Sequence, residues 1–143
     1  MDCLRRGPHF VRGWIARHGA LPARDRARGD STHVFELRFY HAVPAKGPAL
    51  ESVFRDASNL MANHGINVVG YWVPNEDPAW KDTFIYIVAH PSREKAKKNW
   101  DVLHSDAAFR PYIEAAKPLI DKAGKVFRVD EVYMRSTDFS PMQ

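Results

Sequence analysis

Glu36, Arg38 and Tyr40 alternate with Phe35, Leu37 and Phe39, so a strand here would carry a charged trio on one side and an apolar trio on the other. If the apolar trio packs on helices, the polar trio turns into the interior of a paired sheet, where buried charges have to meet partners. Two readings follow. Glu36 and Arg38 form a structural ion pair that fixes packing, or the trio is the polar anchor of an apolar ligand cavity, with Arg38 placed to hold a substrate oxyanion. His64 and His104 are the other titratable candidates. Each falls in the last turn of a helical segment, where the dipole favours a cationic cap. The chemical alternatives are a general base at a cavity mouth or an axial ligand to haem iron, and Asp101 stands one turn before His104 to orient its ring. His33, His41 and His90 fall at strand ends and are expected in solvent. Tyr71, Trp72, Trp80, Tyr86 and Trp100 are anchors for core and interface, with Trp72 and Tyr86 as candidate walls of a pocket for a flat molecule.

Stronger signatures are absent: no G-x-G-x-x-G, P-loop, G-x-S-x-G or H-E-x-x-H occurs. The single cysteine, Cys3, excludes a disulfide framework and a Cys-based zinc site, and no metal or cofactor ligand set is expected. Lys95, Lys97 and Lys98 read as a solvated helix face.

These side chains need elements to hold them. Residues 33–41 read as a strand. Pro48 suits a first helical turn, and Leu50, Val53, Phe54, Ala57, Leu60 and Met61 recur at helical spacing until Gly65. Strands at 66–73 and 83–90 follow, then a helix from Ser92 to about residue 104 with Ala96, Trp100 and Leu103 inward. A further helical stretch is expected through residue 123, kinked at Pro111 and Pro118, and residues 126–134 form the last strand. The order β-α-β-β-α-β predicts a ferredoxin-like α+β fold, with two helices on one face of a four-stranded antiparallel sheet. On strand two, Ile66, Val68 and Trp72 alternate with Val69, Tyr71 and Val73; on strand three, both sides are apolar. The face without helices would therefore expose a large apolar surface, which a second copy would cover, with Val69, Tyr71 and Trp72 at the interface.

With 143 residues, 45% hydrophobic and 27% charged, the chain has the composition of one globular domain. The net charge of +4 sits entirely in residues 1–32, where seven Arg face three Asp; residues 33–143 balance fourteen bases against fourteen acids. A neutral body argues against nucleic-acid binding, and no apolar run is long enough for a membrane span. Residues 1–32 are expected to be a disordered Arg-rich extension, with 33–143 the folded domain. A cytoplasmic location is expected, or a mitochondrial one if the Arg-rich stretch is a transit peptide.

Phe35-Glu36-Leu37-Arg38-Phe39-Tyr40, His64-Gly65 with Val69-Gly70-Tyr71-Trp72, and Lys98-Asn99-Trp100 with His104-Ser105-Asp106 resemble the NIPSNAP family. So does the tail, Tyr133-Met134-Arg135 with Phe139-Ser140-Pro141-Met142. The resemblance implies a dimeric α+β barrel and a homodimer rather than a reaction. Bacterial members have no assigned activity, animal members are mitochondrial proteins linked to vesicle traffic and mitophagy, and the wider superfamily includes cofactor-free monooxygenases. It carries over no catalytic residues. The expectation is a module that binds a small apolar ligand or a protein partner. The alternative is a cofactor-independent monooxygenase or isomerase acting on a flat substrate, with His64 or His104 moving protons.

Overall fold

A computed structural model describes residues 33–142. The extension, its reading as a transit peptide and Cys3 lie outside the described residues. Alternation at residues 34–41 does produce a strand, β1 (Val34–His41), which lies at the centre of the sheet. It pairs antiparallel with β3 (Thr83–His90) on one side and β6 (Val129–Arg135) on the other; β2 (Asn67–Trp72) pairs with β3 at the edge. The order β2-β3-β1-β6 is the ferredoxin-like arrangement.

Helix α1 (Gly47–Asn63) starts with proline in its first turn and buries Leu50, Ala57 and Met61. Gly65, at φ +75°, ends it: its N–H donates to the Ala62 carbonyl, and the Ile66 N–H to that of Met61. The Asn99 side-chain amide donates to the Gly65 carbonyl (3.0 Å), tying this turn to α2 (Arg93–Ser105). The Ser92 side chain accepts from the Lys95 N–H at the start of α2, which buries Ala96, Trp100 and Leu103.

Three departures from the sequence reading have physical causes. The helix expected through residue 123 is α3 (Arg110–Ala116) plus one 3-10 turn at Lys117–Leu119. Pro118 has no N–H to continue an α-helix, and the chain then turns through a small hairpin, β4 (Lys122–Ala123) with β5 (Val126–Phe127). The single last strand expected at 126–134 is therefore divided: the Arg128 N–H donates to the Asp121 carbonyl beside the hairpin, and only β6 joins the main sheet. In β2 the register shifts between Val68 and Gly70, so the alternation inverts. Val68 and Tyr71 then share the helix side, and Tyr71 packs on Phe84 and Tyr86 rather than facing away with Val69 and Val73. Finally, β1 is turned over relative to expectation. Tyr40 packs edge-on against Phe54 of α1 at 4.9 Å, so Glu36, Arg38 and Tyr40 face the helices. Phe35, Leu37 and Phe39 occupy the open side, where Phe39 meets Trp80.

The core lies between sheet and helices, around Leu50, Met61, Phe84, Tyr86, Val88 and Leu103. The opposite sheet face carries Leu37, Phe39, Ile85, Ile87, Val132 and Trp72, whose ring lies over Gly70 and is 47% exposed. Among the described residues no helix is long and apolar enough to cross a membrane.

Candidate functional site

Turning β1 over puts the charged trio beneath the helices. Glu36 has no exposed surface, and its carboxylate accepts from Arg38 Nε, from His90 Nε2 at 2.8 Å and from the indole Nε1 of Trp100 at 2.7 Å. Burial opposes this charge, but the His90 hydrogen bond and the Arg38 guanidinium, with help from Trp100, overcome it and hold the carboxyl at about 2. Arg38 also reaches Glu131 of β6 at 2.9 Å, lies 4.3 Å over the Trp100 ring, and donates from a terminal nitrogen to the Tyr40 hydroxyl at 3.2 Å. The Tyr40 and Tyr86 hydroxyls are 3.4 Å apart. Glu36 to Tyr86 is thus one connected polar network, and four of its members were singled out by sequence.

His90 was missed. It was expected in solvent at a strand end, yet it is fully buried. The signal was present: His90 continues the side of β3 defined by Phe84, Tyr86 and Val88, all of them core. Its Nε2 donates to a carboxylate that only accepts, and its Nδ1 is buried without a hydrogen-bond partner among the described residues. His33 is exposed, as expected of a strand end, and His41 bonds Asp130 at 2.9 Å.

A cavity of about 270 Å³ opens between this network and the helices. Tyr40, Tyr86, Trp100 and His104 line it, with Phe54 and Ala57 of α1 and Phe109, Tyr112 and Ala116 from the α3 region. Its walls are almost entirely carbon, and the lining residues that carry polar side-chain groups are Tyr40, Tyr86, Tyr112, Trp100, His104 and Lys117. The His104 ring stacks on Trp100 (5.7 Å between centroids) and tilts against Phe109. Partial burial, reinforced by the Arg38 charge and opposed by Asp101, lowers its pKa below 6.5, so the imidazole is neutral at pH 7. Asp101 does not orient that ring; it pairs with Lys97 on the surface.

The remaining candidates separate. His64 bonds Asp106 at 2.7 Å, linking the end of α1 to the turn after α2, away from the cavity lining. Trp72 does not line the cavity either: β-alternation after the bulge sends it to the open face. Tyr71, offered as an interface residue, is on the helix side, leaving Val69 and Trp72 exposed near the open edge. Among the described residues no cluster of His, Cys, Asp or Glu is arranged to hold a metal ion.

The chain matches the NIPSNAP family model over residues 35–141, which spans every element of the sheet and both sides of the cavity. It belongs to the NIPSNAP family. Among solved structures, a NIPSNAP protein of unknown function from Agrobacterium tumefaciens is 20% identical, covers 80% of this chain and 97% of its own, and superposes with a TM-score of 0.69. A NIPSNAP-like domain protein from Burkholderia xenovorans is 15% identical (78% and 90% covered, TM-score 0.66). A cofactor-independent oxygenase from Streptomyces nogalater, also 15% identical, covers 77% of this chain and 98% of its own with a TM-score of 0.52. At these identities the likeness concerns the fold. No curated protein matches the sequence. This NIPSNAP chain therefore has a family and an architecture, and its chemistry has to be read from its own cavity.

Proposed function

We propose that this NIPSNAP protein is a homodimeric small-ligand-binding module whose ligand occupies the cavity between the sheet and its helices. The observation that carries the reading is that cavity: about 270 Å³, aromatic-walled, with a buried polar network at one end. Its size is close to the lower end of ordinary ligand sites, and the combination of an apolar body with a few fixed polar groups is their usual composition. The homodimer is supported by the open sheet face, where Leu37, Phe39, Ile87 and Trp72 need a covering surface and a second sheet would supply one.

The test is binding of a neutral, apolar fluorophore such as Nile red. Its emission is expected to rise and shift to the blue with the wild-type protein. It should lose that response with Ala116→Trp, which fills the cavity from a half-buried position at the end of α3. An unchanged response in a normally melting Ala116→Trp variant would place the probe elsewhere and end this reading.

One observation favours a second reading, a cofactor-independent monooxygenase or isomerase. His104 lines the same cavity as a neutral imidazole and is able to accept a proton from a bound substrate. The Streptomyces nogalater oxygenase, similar in fold, supports it further.

A further inference from the structure

We infer that the cavity selects a flat, uncharged aromatic ligand carrying a carbonyl oxygen, and that the Tyr40 hydroxyl is the donor that recognises it. The inference rests on the cavity being a ligand site and adds the chemical class of the ligand.

The argument is a count of protons and lone pairs. A guanidinium only donates, so in the Arg38–Tyr40 hydrogen bond the Tyr40 oxygen is the acceptor. Tyr86 has no exposed surface, and among the described residues the Tyr40 hydroxyl is the partner of its own. Burial, and the neighbouring Tyr40, push Tyr86 ionisation well above its ordinary range, so it keeps its proton. A buried O–H has to be given to an acceptor, and Tyr40 is there to take it. The Tyr40 oxygen then accepts twice and has no lone pair left. Its own proton is left to donate, and Tyr40 lines the cavity. Arg38 and Tyr86 together turn an amphoteric hydroxyl into an obligate donor.

Charge decides which acceptor it takes. Two carboxylates, Glu36 and Glu131, already sit on the one Arg38 guanidinium, and His104 adds no charge near neutral pH. Lys117 is paired with Glu114 at 2.7 Å. The polar end therefore offers a hydrogen bond without surplus positive charge, which suits a neutral carbonyl and gives a carboxylate nothing for its desolvation. Shape comes from the walls: the aromatic rings of Phe54, Trp100, Phe109 and Tyr112 line them, a composition that favours a planar guest.

The test compares three probes that share one ring system: 2-acetylnaphthalene, 2-ethylnaphthalene and 2-naphthoate, with dissociation constants measured by titration against the full-length protein. The ketone is expected to bind about tenfold more tightly than the hydrocarbon, the worth of one buried hydrogen bond. The carboxylate should bind most weakly. Tyr40→Phe should bring ketone and hydrocarbon to the same affinity. Tyr86→Phe should keep the ketone's advantage, since Tyr40 still accepts from Arg38. If Tyr40→Phe melts early because the Tyr86 hydroxyl is stranded, the double variant Tyr40→Phe/Tyr86→Phe removes both and gives the same readout. Equal binding of ketone and hydrocarbon by the wild type, with both lost in Ala116→Trp, overturns the carbonyl assignment and leaves the cavity as a ligand site. Tightest binding of the carboxylate, or an advantage that survives Tyr40→Phe, also overturns it. Binding of none of the three probes overturns this inference and the ligand-binding function together.

Discussion

Glu36 concentrates the polar energetics of this domain. It is fully buried, and three separate donors converge on its two oxygens. Such a group stabilises the fold only as a charge, because a protonated carboxyl would return a donor toward donors. Its pKa is depressed from an ordinary 4.5 to about 2. The contribution is therefore complete above pH 4.5 and is lost as the pH falls toward 2, since the unfolded chain takes up the proton first. Denaturant titrations across that range should show wild-type stability falling steadily. Glu36→Gln should be less stable at pH 7 by about 3–5 kcal/mol, the usual cost of removing one partner from a buried ion pair. Its pH dependence between 4.5 and 2 should be visibly flatter. Parallel slopes for the two proteins would mean that other carboxylates dominate the acid transition.

At the level of single elements, the start of α1 is held from far along the chain. No side chain next to it caps the helix. Asp82, in the turn before β3, instead accepts from the backbone N–H groups of Ala45 (3.0 Å) and Gly47 (3.3 Å). Asp82 itself adopts φ 61°, a left-handed conformation that Asp tolerates better than Ala. Both effects are separable. Asp82→Gly loses the cap but relaxes the backbone, whereas Asp82→Ala loses the cap and keeps the strain. Thermal and chemical unfolding should place Asp82→Ala about 1–2 kcal/mol below wild type. Asp82→Gly should fall between them, and equal losses in the two variants would remove strain from the account. Nothing local to residues 44–50 announces this cap, because the partner is more than thirty residues away.

For the molecule as a whole, the proposed association rests on the open side of the sheet. Leu37 and Ile87 face each other across β1 and β3 on that side, on the opposite face of the sheet from the cavity and the Glu36 network. In the proposed homodimer this face is covered, and Leu37→Asp would leave a carboxylate between two apolar sheets. Sedimentation velocity should show a wild-type dimer and a folded Leu37→Asp monomer. A wild-type monomer, or a dimer indifferent to the substitution, would remove this face from the association.

The order and type of the four main-sheet strands and of α1 and α2 were legible along the chain, whereas the β4–β5 hairpin was not. β3 coincides with its expected span, Gly65 ends α1 and Ser92 opens α2 as their local chemistry requires. The candidate network was largely legible as well, since Glu36, Arg38, Tyr40 and Tyr86 stand out as polar or amphipathic groups on strands. What alternation leaves open is a sign. It assigns residues to two faces but does not say which face receives the helices, and β3, apolar on both sides, does not break the tie. Tertiary packing made that choice: Trp100 of α2 and His90 of β3 supply Glu36 with donors on the helix side, where the charge is satisfied. One bulged residue in β2 then moved Tyr71 to that side as well. Local periodicity thus set what each segment is, and only the convergence of distant hydrogen-bonding partners set which way the central strand faces.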